Sequence, residues 1–316
     1  MPEIPTTTRT TGTAATSSPR HRSRLHGLGY NLPDVFKAGW NGGGAATSTG
    51  HRRVVRTVDP VARDISRVLP LPVIGFADGV QTRSLLRHVE HRPVSLVWVA
   101  AGAVHAPSAT LLEFRQRLEL VGSAADGAVL AGLSRAGRGL PFHLLEELTP
   151  WGVAVATQAL VDEWRQGLER DVIASTAIPE GKYLIVDGSI RRYACDGLVG
   201  VVKAVEDTQY LGDESALPDK AGWRSPVFSL PARTTSERAV VSTYLRLHSS
   251  PGTESWSHGL IRLEAHDPET LDAACALALR HRQSRGSGDP RWATHLEGMH
   301  RAEEVLKAFR HPFLEW

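Results

Sequence analysis

Cysteine is scarce. The 316 residues hold two, Cys195 and Cys275, far apart and in no CxxC pair. That excludes a zinc knuckle or ribbon and leaves a disulfide framework without support. A reducing, cytoplasmic compartment fits such usage. Long apolar runs are also missing: none reaches the 18 or so residues of a membrane span, so no membrane association is expected. No apolar stretch follows the early basic residues, which argues against a secretory signal peptide. The Gly-rich stretch Gly39–Gly44 lacks the GK[ST] ending of a phosphate-binding loop and reads as linker. Net charge is only +2, but it is unevenly spread. Residues 1–56 carry eight Lys/Arg against two acids, so the remainder is net −4. Any phosphate-binding surface on that remainder has to be a local patch rather than a global field.

What is present divides the chain into two parts. Residues 1–55 form a basic, Thr/Ser/Arg-rich N-terminal segment with few apolar anchors, read as a flexible tail. Residues 56–316 carry the pattern of one α/β domain. A short helix is expected over 58–69. Pro72–Ala77 reads as a buried strand ending at Asp78-Gly79, then a turn or short connection, then a second strand over Val94–Val104. Thr110–Val121 has apolar residues at helical spacing, and Val153–Ala174 reads as one long helix. Tyr183–Val186 is an apolar strand running into Asp187-Gly188-Ser189, and Leu198–Val205 is a strand beside it. Val240–Leu247 and Gly259–Ala265 alternate as half-buried antiparallel strands do. Asp267-Pro268 opens a helix to about His281, and a last helix runs from about Thr294 to Phe309. The order implies a mixed central sheet flanked by helices.

Two aspartates recur in one form. Asp78 and Asp187 each follow an apolar strand and each precede a glycine. A carboxylate there is costly to desolvate unless something compensates it, and a hard divalent cation with oxygen ligands would do so. Neighbouring strands would bring the two together, and the glycines would let a phosphate backbone approach. The plain alternative is that each Asp-Gly is a turn. A third acid would come from the long helix, where Asp162, Glu163, Glu169 and Asp171 are the candidates. Glu163 and Glu169 are six apart and lie on different faces, so only one can reach the strand ends. His295 and His300 are five apart, not the i, i+4 spacing of a zinc protease.

In order and spacing, these motifs resemble the NurA family of nucleases. The resemblance rests on Asp78-Gly79 with Trp98–Val104, on Leu184–Ile190 with Leu198–Lys203, and on Asp289–Trp292 with Met299–Ala302. It spans roughly residues 70–310. It implies an RNase H-like fold that binds two Mn2+ or Mg2+ ions and cuts DNA as an exo- and endonuclease. It also implies a homodimer working beneath a HerA-type hexameric ATPase, in DNA repair or phage defence. Carried over by position, Asp78, Glu169 and Asp187 would be the metal ligands, His300 the catalytic histidine, and Lys203 a phosphate contact or a structural lysine beside the site. Two departures stand out: Asp289 occupies the place of the family's tyrosine, and Met299-His300 that of its Ala-His. Alternatives are another RNase H-like nuclease, Argonaute-like or resolvase-like, and a catalytically silent scaffold subunit of a translocase complex.

Overall fold

The computed structural model describes residues 55–203, 217–249, 256–286, 288 and 291–310, all within the compact unit Arg53–Trp316. The N-terminal segment, the Gly39–Gly44 stretch, most of the irregular stretch 206–225 and Asp289-Pro290 lie outside the described residues. The strands are β1 (Arg56–Asp59), β2 (Arg63–Asp64), β3 (Val73–Val89), β4 (Arg92–His105), β5 (Leu111–Ser123), β6 (Phe142–Leu145), β7 (Tyr183–Asp187), β8 (Leu198–Val202), β9 (Trp223–Arg224), β10 (Val227–Leu230), β11 (Val240–Arg246) and β12 (Leu260–Ala265). The helices are α1 (Gly127–Ala136), α2 (Pro150–Ser175), α3 (Pro268–Arg280) and α4 (Glu297–Lys307).

The strands join in one mixed sheet, ordered β1-β10-β11-β12-β8-β7-β3-β4-β5-β6, with β9 pairing β11 and β2 off that path. The β3–β4–β5 meander is antiparallel, whereas β7 runs parallel to β3 and β8 parallel to β7. The expected α/β architecture is therefore present: a mixed central sheet flanked by helices.

Alternation along the strands sorts the core into two layers. Phe76, Ile185 and Val201 point to the face covered by α3 and α4, where they meet Leu271, Cys275 and Met299. Ala77, Leu184 and Val186 point to the other face and pack on Val172 and Ile173 of α2. Helix α3 begins at Pro268 as expected, whereas α2 begins at Pro150, three residues ahead of the expected Val153. The Thr149 side chain accepts from the Gly152 amide (3.1 Å) ahead of α2, and Asp267 accepts from Thr270 (2.8 Å) ahead of α3, each with proline next in the chain. Among the described residues no helix is long and apolar enough to cross a membrane.

Four local expectations fail, for identifiable reasons. Residues 58–69 form β1 and β2 rather than a helix. This segment is captured by Arg224, which is 1% exposed and donates to Asp59 (2.8 Å) and to the Val61 carbonyl (2.9 Å), and also pairs with Asp272. Such a buried cation needs its partners, and they can reach it only from extended chain. The strand holding Asp78 does not end there: β3 continues to Val89, paired to β4 throughout, and turns only at Glu90-His91, both in the left-handed region (φ 47° and 70°). Its second half is polar and exposed, so hydrophobicity gave no sign of it. The helical spacing at 111–121 belongs to β5, because β4 offers a full hydrogen-bonding edge there. Finally, β11 and β12 are buried on both faces, apart from the half-buried Arg262, rather than on one, since helices cover one side and the Phe228–Tyr244 cluster the other.

Candidate metal centre

The site grows from the strand register. Ala77 of β3 pairs with Val186 of β7, so Asp78 and Asp187 stand level on adjacent parallel strands. Strand β7 ends at Asp187 while β3 runs on, and this opens a narrow cleft lined by Asp78, Gly102, Glu169, Val172 and Asp187. Helix α2 crosses the sheet here. Val161, Trp164 and Val172 fix its rotation by packing into the core, which turns Glu169 inward and leaves Glu163 exposed. A methyl group on Gly79 would fall 2.2 Å from Glu169 Oε1. The glycine after Asp78 therefore makes room for the helix carboxylate, not for an incoming phosphate backbone as the sequence suggested. The glycine after Asp187 differs: Gly188 has φ 100°, and nothing lies within 4 Å of a methyl group built there.

Charge at the cleft is only partly compensated. Lys203 Nζ donates to Asp187 Oδ2 at 2.7 Å. Arg165 pairs with Glu169 one helical turn away and also donates from Nε to Gln81 at 3.2 Å. Among the described residues Asp78 has no cationic ion-pair partner. It accepts only from the Gly79 amide (2.7 Å). Burial, with Asp187 beside it, raises the Asp78 carboxyl well above the usual range, against the weaker pull of Lys203. Burial also raises Glu169, and Arg165 offsets part of that. The Tyr193 phenol is pushed up by burial and then by the Glu169 charge, which places a tyrosine next to the cluster.

The loop after Asp187 is clamped from the far strand. Glu264 on β12, fully buried, accepts from Ser189 Oγ (2.7 Å), the Ile190 amide (3.1 Å) and Arg262 (2.7 Å). Gly188 N–H donates to the Val201 carbonyl at 2.8 Å. Replacing Glu264 with alanine removes one member of the buried Arg262–Glu264 pair and the acceptor of the Ile190 amide, at a cost of about 3–5 kcal/mol. The expected result is a melting temperature lower by roughly 6–20 °C, measured by thermal unfolding. A fall of under about 2 °C would mean that the clamp contributes little.

The structure thus sets Asp78, Glu169 and Asp187 around one cleft, with Lys203 paired to Asp187. It groups His300 with His295 and Glu303, whose ligand atoms lie within 4.8 Å of one another, a cluster suited to a divalent metal. Sequence reasoning passed over Arg165, Tyr193, Glu264 and Glu303. Arg165 carried a visible signal, the Arg–Glu pair at i, i+4 on one helix. Glu303 carried one too, three residues after His300 on the last helix; Tyr193 and Glu264 reach the site only through packing.

No protein-family model and no curated protein matches the chain. Among solved structures it is similar to the NurA nuclease from Sulfolobus solfataricus, at 10% identity and a TM-score of 0.39, over 74% of this chain and 81% of that one. It is also similar to an endonuclease V from Streptomyces avermitilis, at 14% identity and a TM-score of 0.30, over 81% and 87% of the two chains.

Proposed function

We propose that this protein is a metal-dependent nuclease of the RNase H-like type that hydrolyses DNA phosphodiester bonds. One observation carries the reading: three carboxylates from three separate elements line one narrow cleft, and the central one, Asp78, is held well above its ordinary range by burial and then by the Asp187 charge, with Lys203 offsetting only part of that. An all-oxygen donor set with excess negative charge fits Mn2+ or Mg2+. Asp78, Glu169 and Asp187 would hold the ions. Bound there, two such ions would supply an activated water and neutralise charge at the phosphoryl group and leaving oxygen.

The chain's own residues do the rest. Lys203 fixes Asp187 and stands ready to contact a phosphate oxygen. Arg165 holds Glu169 in place, and Gly79 leaves the space that Glu169 fills. No step is assigned to His300 in this cleft. A homodimer and a HerA-type ATPase partner follow from the NurA resemblance alone and belong to the same proposal.

Cleavage of end-labelled single- and double-stranded DNA, with Mn2+, with Mg2+ and with chelator, tests it, and a HerA-type ATPase is added in a second arm. Cutting that requires the ion is the expected result. Folded protein that cuts neither substrate in either arm removes the nuclease reading and favours a silent scaffold.

A further inference from the structure

The second cluster of ligating groups differs in chemistry from the first. His295 lies just ahead of α4 and is fully buried, while His300 and Glu303 sit one turn apart on α4, both half-buried. One ligand atom from each lies within 4.8 Å of the other two. The imidazole rings are 6.1 Å apart between centroids and inclined at 68°, so they converge edgewise rather than stack. The backbone is pinned at both ends. The His295 carbonyl accepts from the Gln283 amide (3.3 Å), the Glu297 amide donates to the His281 carbonyl (2.6 Å), and the His300 amide donates to the Leu296 carbonyl (3.0 Å).

From this arrangement we infer that His295, His300 and Glu303 form a transition-metal site of the two-imidazole, one-carboxylate type, which takes a Zn2+-class ion and leaves one position open for water or an oxygen ligand. Imidazole nitrogens favour zinc, cobalt and nickel over magnesium, whereas the all-carboxylate cleft favours the hard ions. Zinc bonds of about 2.0–2.1 Å set ligand atoms roughly 3.3 Å apart in a tetrahedron, within reach of small side-chain rotations from the observed spacing. Three protein ligands with an open fourth position are the pattern of reactive rather than purely structural zinc sites. Glu303 already pairs with Arg291 (2.8 Å) and Lys307 (3.1 Å). Those cations keep it ionised, as a ligand must be, and the ion has to share an oxygen with one of them or displace it. The inference does not depend on the carboxylate cleft being catalytic.

The test uses the full-length chain, stripped with chelator and titrated with Zn2+ by calorimetry and with Co2+ by visible absorbance. The Asp78→Asn/Asp187→Asn double variant is expected to bind one ion per chain as tightly as the wild type does. Glu303→Gln and His300→Ala are expected to weaken binding at least ~10-fold while retaining the wild-type circular dichroism spectrum. His295 is buried, so its alanine variant serves only if it folds. Three results would overturn the site: no binding by folded wild type, undiminished binding in both Glu303→Gln and His300→Ala, or loss of binding in the double variant. Because the readout is Zn2+ binding with the cleft disabled, failure here is distinct from failure of the nuclease assay.

Discussion

Asp78→Asn and Asp187→Asn are each expected to lower divalent-dependent DNA cleavage by at least ~10^3-fold with the fold intact. Metal-assisted charge stabilisation contributes several kcal/mol, and about 4 kcal/mol corresponds to a thousandfold in rate. Asparagine keeps the size of aspartate but removes the charge that gathers cations. The two variants should fail for partly different reasons. Asp187 shares its charge with Lys203 at 2.7 Å, so its loss also frees that lysine. Asp78 makes no such ion pair among the described residues, and its loss removes the most electrostatically frustrated group in the cleft. Initial rates at saturating Mn2+, with folding checked by circular dichroism, decide the matter. A fall of less than tenfold in both variants would mean that the cleft is not where the chemistry occurs.

The same substitution should have an opposite effect on stability. In chelator at pH 7.5, Asp78→Asn is expected to melt higher than the wild type, and adding Mn2+ should raise the wild-type melting point but not the variant's. The sign follows from linkage. The Asp78 carboxyl titrates higher in the folded chain than its unfolded value of about 3.9. Between those two values the native state holds a proton that the unfolded state has lost, so stability falls as pH rises through the window and stays low above it. Each unit of elevation costs about 1.4 kcal/mol, and in a domain of this size 1 kcal/mol is about 2–4 °C. Asparagine escapes that cost, and near pH 4 or below the two proteins should converge. Glu169 shifts in the same direction, with Arg165 opposing it, so Glu169→Gln should give a smaller gain. An Asp78→Asn variant that melts lower than the wild type at pH 7.5 in chelator would contradict the electrostatic picture of the cleft.

Much of the framework was legible from local chemistry. The apolar run around Trp98, the run ending at Asp187 and the Asp267-Pro268 helix start all carry signals that survive any fold, because burial, strand alternation and capping act within a few residues. Elements failed where the deciding partner was distant. The polar half of β3 is a strand only because β4 pairs with it, and β5 overrides its own helical spacing for the same reason. Cross-strand hydrogen bonds are long-range, and side-chain pattern alone does not report them.

The sequence by itself determined that two aspartates follow apolar strands and that a long helix lies between them. It also determined that the cysteines form no metal knuckle. Only the tertiary structure decided that β3 and β7 are parallel neighbours with Asp78 and Asp187 level. The same packing chose between Glu163 and Glu169: side chains six residues apart on a helix face about 120° away from each other, and the contacts of Val161, Trp164 and Val172 with the sheet set which one turns inward. The grouping of His300 with His295 and Glu303 arose in the same way, from a helix start pinned against a segment that the spacing of histidines could not reveal.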